Sequence, residues 1–455
     1  MAERILIRGG FVLTMDDSLG DQPGADVLIE DDSILAVGHD LSAADALVIE
    51  AKGDIVIPGF VDTHRHTWQA PIRGSAPNHT LGEYFGGILD AFAPKFRPQD
   101  VYAGNLWGAL ECVNAGITTL VDWSHISNTP EHSDEAIRGL AEVGLRAVYA
   151  YGFPNTSIAD WWFNSQLIQP EDARRIRKQY FSSDGGLITM SMATRGPGFC
   201  TPEVVKHDWE LAKDLSVPIT VHVGFDRMGG KLTMVKQLHD MDLLYPGTTY
   251  VHSNHLTDEE WKYVADSGGR ISVTPQVELQ MGHGWTPGVK ALSYGLRPGL
   301  GVDVVTTGPG DLFSQMRALF AAERARRHEI SWDHDVDPTE LLTARDVLGF
   351  ATIDGARVAG VGDRTGSLTP GKKADVVIID GGAVNTAPVI DPVAVVVTAA
   401  DISNVDTVII NGRIHKRDGK LLADLSGPRN LAEQSKDYLI SVVPAQPGWL
   451  VPTTA

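Results

Sequence analysis

Between Pro58 and about residue 305 the chain alternates short apolar runs with longer stretches of helical periodicity. The run at 58–66 comes first. GITTLVDW, LRAVYAYG, LITMSMATR, PITVHVG, TTYVHS, RISVTP and GLGVD follow, with segments such as DEAIRGLAEVG, PEVVKHDWELAKDLS and TDEEWKYVADSG between them. Parallel strands buried on both faces have this appearance when helices connect them. Eight such strand–helix units predict an α/β chain closed into a (β/α)8 barrel of the TIM type. A doubly wound open sheet is the structural alternative, but no glycine-rich phosphate loop follows the first strand.

The two ends read differently. RILIRGGFVLTM and ADVLIEDDSILAVG, and the segment from Val48 to Ile57, are short strands broken by Gly and Asp pairs. After about residue 365 the pattern returns in GSLTPGKKADVVIID, AVVVTAA and VDTVIINGRIHKRDGK, where Asn411-Gly412 and Asp418-Gly419 are hairpin-turn signals. Residues 1–57 plus 366–420 are therefore expected to pair into one small β-sandwich-like domain beside a barrel at 58–365. Residues 421–455, rich in Pro and polar groups, are expected to form an arm or tail.

Composition removes several classes. A formal net charge of −20 repels phosphate backbones and anionic membranes, so nucleic-acid and membrane partners are not expected. Two cysteines exclude a disulfide framework and a cysteine-rich zinc site. No stretch reaches the ~18 apolar residues of a spanning helix, and the first residues lack a signal-peptide pattern. The cytoplasm is the expected location.

The chemistry lies at the predicted strand ends. PGFVDTHRH places His64 and His66 two apart, so both imidazoles leave one face of a strand and can reach one ion. His222 ends PITVH, His252 ends TTYVH and Asp303 ends GLGVD. The C-terminal ends of barrel strands are where such folds build their sites. Three histidines and one carboxylate leave a coordination position for water, as catalytic metals require.

These pieces together, with the HxxxL-TDEE segment after a strand and GSLTPGKKADVVIID, resemble the amidohydrolase superfamily over residues 4–420. More narrowly, they resemble its branch of cytosine, guanine and S-adenosylhomocysteine deaminases and triazine hydrolases. The resemblance implies one divalent metal on His64, His66, His222 and Asp303, with His252 facing the substrate. Zinc suits that donor set; iron, cobalt and manganese suit it too. LITMSMATR offers no lysine for a carbamate bridge, so a binuclear centre is not expected. The resemblance also implies a homo-oligomer.

Two positions depart from the branch. A glutamate usually stands three residues after the fifth-strand histidine as proton carrier; this chain has Phe225. After the seventh strand TPQVELQMGHG brings Glu278, either an acid–base group with a raised pKa or a capping residue paired with Arg195. Arg195 itself either grips the substrate or makes a structural ion pair. His125, Trp68 and Phe225 are candidate pocket walls suited to a flat or apolar substrate, and His283 reads as a loop residue.

The expected reaction is hydrolysis of a C–N bond in a small molecule. Metal binding lowers the pKa of water toward ~7. Asp303 takes its proton, His252 steadies the developing charge, and Asp303 or Glu278 protonates the leaving group. An amino-substituted N-heterocycle is the first substrate class; a carbamate, thiocarbamate or urea is the second, since Phe225 and Glu278 resemble thiocarbamate and phenylurea hydrolases. A non-catalytic scaffold relative, which need hold no stoichiometric ion, is the third reading.

Overall fold

The computed structural model describes residues 3–334 and 336–444. Eight parallel strands follow one another around a barrel: β6 (Phe60–Arg65), β7 (Ile117–Ser124), β8 (Arg146–Tyr151), β9 (Ile188–Thr194), β10 (Ile219–Val223), β11 (Thr249–His252), β12 (Arg270–Val273) and β13 (Gly299–Leu300). Their order in the sheet is their order in the chain. Helices packed outside these strands join the barrel in one continuous apolar core. Each large apolar side chain buried there contributes ~1.5–3 kcal/mol.

Closure occurs just beyond the short β13. The Asp303 amide donates to the His64 carbonyl, and the His66 amide donates to the Asp303 carbonyl, each at 2.8 Å. Gly301 makes that approach possible, because a Cβ there would stand 2.8 Å from the His64 carbonyl oxygen. The same seam that closes the barrel therefore joins three of the expected metal ligands.

Both chain ends enter one nine-stranded mixed sheet. It contains β1 (Arg4–Leu13), β2 (Asp21–Glu30), β3 (Ser33–Gly38), β4 (Leu47–Glu50), β5 (Ile55–Pro58), β14 (Val376–Ile379), β15 (Val405–Ile410), β16 (Arg413–Arg417) and β17 (Lys420–Leu421). Antiparallel pairing of β5 with β14 joins the ends, and the sheet has its own core around Ile7, Val27, Ile29 and Val376. Asn411-Gly412 and Asp418-Gly419 all have positive φ, as a two-residue hairpin turn with a type I′ twist requires. A buried ion pair ties the sheet to the barrel: Arg146 on β8 donates to Asp375 at 2.7 and 3.0 Å.

The segment expected as an arm or tail contains a helix, Ser426–Val442. Ala432, Ser435 and Leu439 recur at three- and four-residue spacing and are buried where this helix packs on the helix Pro98–Asn114. The Arg97 guanidinium also lies 3.5 Å over the Tyr438 ring. The polar residues that suggested a tail are its solvent face; residues 445–455 of that expectation lie outside the described residues. Among the described residues no helix is long and apolar enough to cross a membrane.

Candidate active site

His64 near the end of β6 and His66 just beyond it stand two apart at the C-terminal mouth of the barrel. His222 comes from β10, His252 ends β11, and the closing seam delivers Asp303. Their donor atoms converge. His222 Nε2 lies 3.1 Å from His64 Nε2. Asp303 Oδ1 stands 3.5 Å from His64 Nε2 and 3.4 Å from His66 Nε2. Donors held ~2.0–2.1 Å from one tetrahedral cation stand ~3.3–3.4 Å apart, so these separations fit a single ion. Two metal-compatible trios share His64, one with His66 and Asp303 and the other with His222 and His252; His252 Nε2 also lies 3.8 Å from Asp303 Oδ2.

The surrounding groups favour the ligating forms. His66 turns Nδ1 to the Trp123 carbonyl at 2.9 Å, so Nδ1–H donates and Nε2 keeps its lone pair. Burial, reinforced by neighbouring imidazoles, holds His66 and His222 well below the usual histidine range, and neutral imidazole is the form that binds metals. Burial alone would raise Asp303, but His64, His252 and His66 together keep it well below the usual carboxylate range.

The backbone is strained at two of these strand ends. His252, Ser253 and Asp303 adopt positive φ of 74°, 61° and 67° without being glycine. The Ser253 amide donates to Val223 across the sheet, and Asp303 is pinned to β6, so the barrel holds both side chains in place.

Glu278 lies on the short helix Pro275–Gln280 after β12 and is fully buried. Its Oε1 accepts the Thr274 amide at 2.8 Å and lies 3.3 Å from His252 Nδ1. Thr274 Oγ1 donates to Asp303 Oδ2 at 3.2 Å and is also 3.2 Å from His252 Nδ1. Glu278 thus stands behind His252 and is not among the cavity-lining residues. The alternative pairing with Arg195 does not occur.

Arg195 is turned away from the cavity, which corrects its expected contact with substrate. Its Nη1 donates to Ser165 Oγ at 2.9 Å and to the Trp161 carbonyl at 3.3 Å. Its Nη2 reaches the Leu167 carbonyl and Asp208. Trp68 is corrected similarly: it is fully buried behind the wall, edge-on to Phe96 and His125. His125 and Phe225 do line the cavity.

The rest of the wall was not legible from strand ends or periodicity. Thr80 and Glu83 cap the helix Leu81–Tyr84, which runs into a π-helical stretch, Phe85–Phe92. Leu81, Tyr84, Phe85 and Leu89 from this segment face the cavity with Trp162, Phe199, Val277 and Met281. These side chains come from connecting segments, where periodicity does not indicate direction. His283, expected as a loop residue, also lines the cavity, 4.6 Å from His252 between ring centroids. The signal was its place in MGHG, after the seventh strand, but spacing did not show which way its ring would turn.

Known proteins resemble this chain over most of its length. A model described as "Amidohydrolase family" matches residues 55–415. The 5'-deoxyadenosine deaminase of Methanothermobacter thermautotrophicus is 30% identical over 429 residues, covering 92% of this chain and 94% of the relative. The 5-methylthioadenosine/S-adenosylhomocysteine deaminase of Symbiobacterium thermophilum is 29% identical over 429 residues, covering 91% and 94%. A mutant atrazine chlorohydrolase from Arthrobacter aurescens, complexed with zinc and atraton, superposes with a TM-score of 0.83 at 23% identity, covering 96% of this chain and 100% of that one. That similarity supports the shared fold.

Proposed function

This chain belongs to the amidohydrolase family, and we propose that it uses one divalent cation to hydrolyse a C–N bond of an amino-substituted N-heterocycle, releasing ammonia or an amine. The convergence of His64, His66, His222 and Asp303 at the barrel mouth carries this reading: His64, His66 and Asp303 form one metal-compatible trio, and His222 joins through His64 at 3.1 Å. The deaminases among its relatives support the reaction class. Zinc is the proposed metal, as it suits three imidazoles and one carboxylate.

A cation held by His64, His66, His222 and Asp303 would supply activated water as a nucleophile near neutral pH. Asp303 would take up a proton on Oδ2, where Thr274 Oγ1 steadies the carboxylate. His252 directs Nε2 toward the reacting group and steadies the charge that develops beside the attacked carbon. Glu278 fixes the direction of the His252 ring through Nδ1. The apolar walls exclude water from the rest of the substrate.

Phe225 favours a second reading. Addition of water across a ring C=N bond requires a proton on the ring nitrogen. A carbonyl instead develops charge on oxygen, which a hydrogen-bond donor can stabilise. With phenylalanine where the deaminase branch has its carboxylate, a carbamate, thiocarbamate or urea needs less of this chain.

The test combines metal analysis with product detection. The protein should bind about one ion per chain and release ammonia from aminopurines, aminopyrimidines or aminotriazines; amine release from carbamates or ureas alone would select the second reading. His222→Ala and Asp303→Ala should lose both ion and turnover. Unchanged metal content and rate in both variants would overturn the reading.

A further inference from the structure

The wall opposite the cation cluster is an aromatic box. Phe199 and Phe225 are stacked at 5.5 Å with their planes 9° apart. Phe85 stacks near Phe199 at 6.4 Å with the planes 22° apart, and Trp162 meets both edge-on, at 5.1 and 5.0 Å. Apart from Asp303, no carboxylate, amide or cationic side chain lines the cavity among the described residues. The remaining polar atoms are mostly engaged. His125 turns Nδ1 to a carbonyl at 3.3 Å, and the Tyr84 hydroxyl receives the Gln69 amide at 2.6 Å. His283 differs: both ring nitrogens are buried with no hydrogen-bond partner, although the ring faces the cavity.

We infer that the part of the substrate beyond its reacting ring is an uncharged apolar group, aryl or alkyl, and that His283 meets a hydrogen-bonding atom of the ring. A sugar is disfavoured. Each buried hydroxyl needs a partner or costs ~1–3 kcal/mol; Phe85, Phe199 and Phe225 supply none, and the Trp162 N–H is already donated to Asn155. Aromatic walls favour a flat or greasy group by burial and stacking. A buried imidazole held neutral can both donate and accept, so His283 suits a ring nitrogen or an N–H; burial and the nearby His252 push its pKa down to about 3. The inference rests on the C–N hydrolysis reading and narrows its substrate.

A matched pair tests it: adenine carrying an N9-propyl group against 5'-deoxyadenosine, each measured by calorimetric titration and by ammonia release from the metal-loaded protein. The alkyl compound should bind at least about tenfold more tightly. His283→Phe should weaken its binding by about tenfold with metal content unchanged, and Phe199→Ser should narrow the ratio between the pair. Equal or tighter binding of the nucleoside would overturn the inference, while its hydrolysis would leave the C–N reading intact. If neither compound is hydrolysed and carbamates release no amine, that reading fails, and the binding ratio still decides the inference.

Discussion

The Nδ1 of His252 lies 3.3 Å from Oε1 of Glu278, and the same oxygen accepts the Thr274 amide at 2.8 Å. Glu278 is thereby a positioning residue that sets the direction of the imidazole facing the substrate. Glu278→Gln keeps an acceptor oxygen and should retain more activity than Glu278→Ala. We expect kcat to fall about tenfold in the first and ~100-fold or more in the second, with little change in KM. Steady-state kinetics on both variants checks this; equal losses would mean that the charge matters and the geometry does not.

Two misdirected expectations show what a sequence encodes about such a site. His64 and His66 were legible because a strand's two-residue alternation fixes which side each imidazole takes. His222, His252 and Asp303 were legible because barrel strand ends converge. Arg195 also stands at a strand end, yet its long side chain turns to Asp208 on the helix Pro202–Asp214, a partner that strand position does not reveal. Trp68 follows the first strand closely but is folded behind His125. The hairpins at Asn411-Gly412 and Asp418-Gly419 were legible from local φ requirements, whereas the helix Ser426–Val442 was hidden by its polar face.

Acid should destabilise the fold through its buried histidines. Burial pushes His125 down to about 3, although a hydrogen bond to the Trp123 carbonyl opposes the shift. The unfolded chain titrates near 6.5, so between about 3 and 6.5 the unfolded state binds the extra proton. The contribution is fully present above 6.5 and is lost as pH falls toward 3, by about 1 kcal/mol per pH unit for each such group. Denaturant melts at pH 5.0 and 7.5 should show this loss, and His125→Phe should reduce the difference. An unchanged difference would place the acid sensitivity elsewhere.

The ion pair between Arg146 and Asp375 should dominate the coupling of the end sheet to the barrel. Asp375 also accepts the Asn411 amide at 2.8 Å and the Thr365 hydroxyl at 3.1 Å, so three partners making four hydrogen bonds tie together β8, the turn after β15 and the segment before β14. Asp375→Ala would leave the Arg146 guanidinium buried without its counter-charge, at a cost of ~3–5 kcal/mol. Asp375→Asn, which preserves an acceptor, should fall between that variant and the wild type. Equilibrium unfolding in urea reads both changes.

Gly301 links closure of the barrel to metal binding. A methyl group there would stand 2.8 Å from the His64 carbonyl oxygen and 2.9 Å from His64 Cβ, so backbone on one side of the seam must move. Asp303 is two residues away and is held by hydrogen bonds to the same strand, so the displacement should reach its carboxylate. Gly301→Ala should lose ~1–3 kcal/mol of stability by overpacking and bring bound metal below one ion per chain. Gly427→Ala, in the C-terminal helix with open space around it, should leave metal content unchanged and stability equal or slightly higher. Full metal occupancy in Gly301→Ala, measured by elemental analysis after dialysis, would show that the cation site tolerates a shifted seam and that closure and ligation are independent.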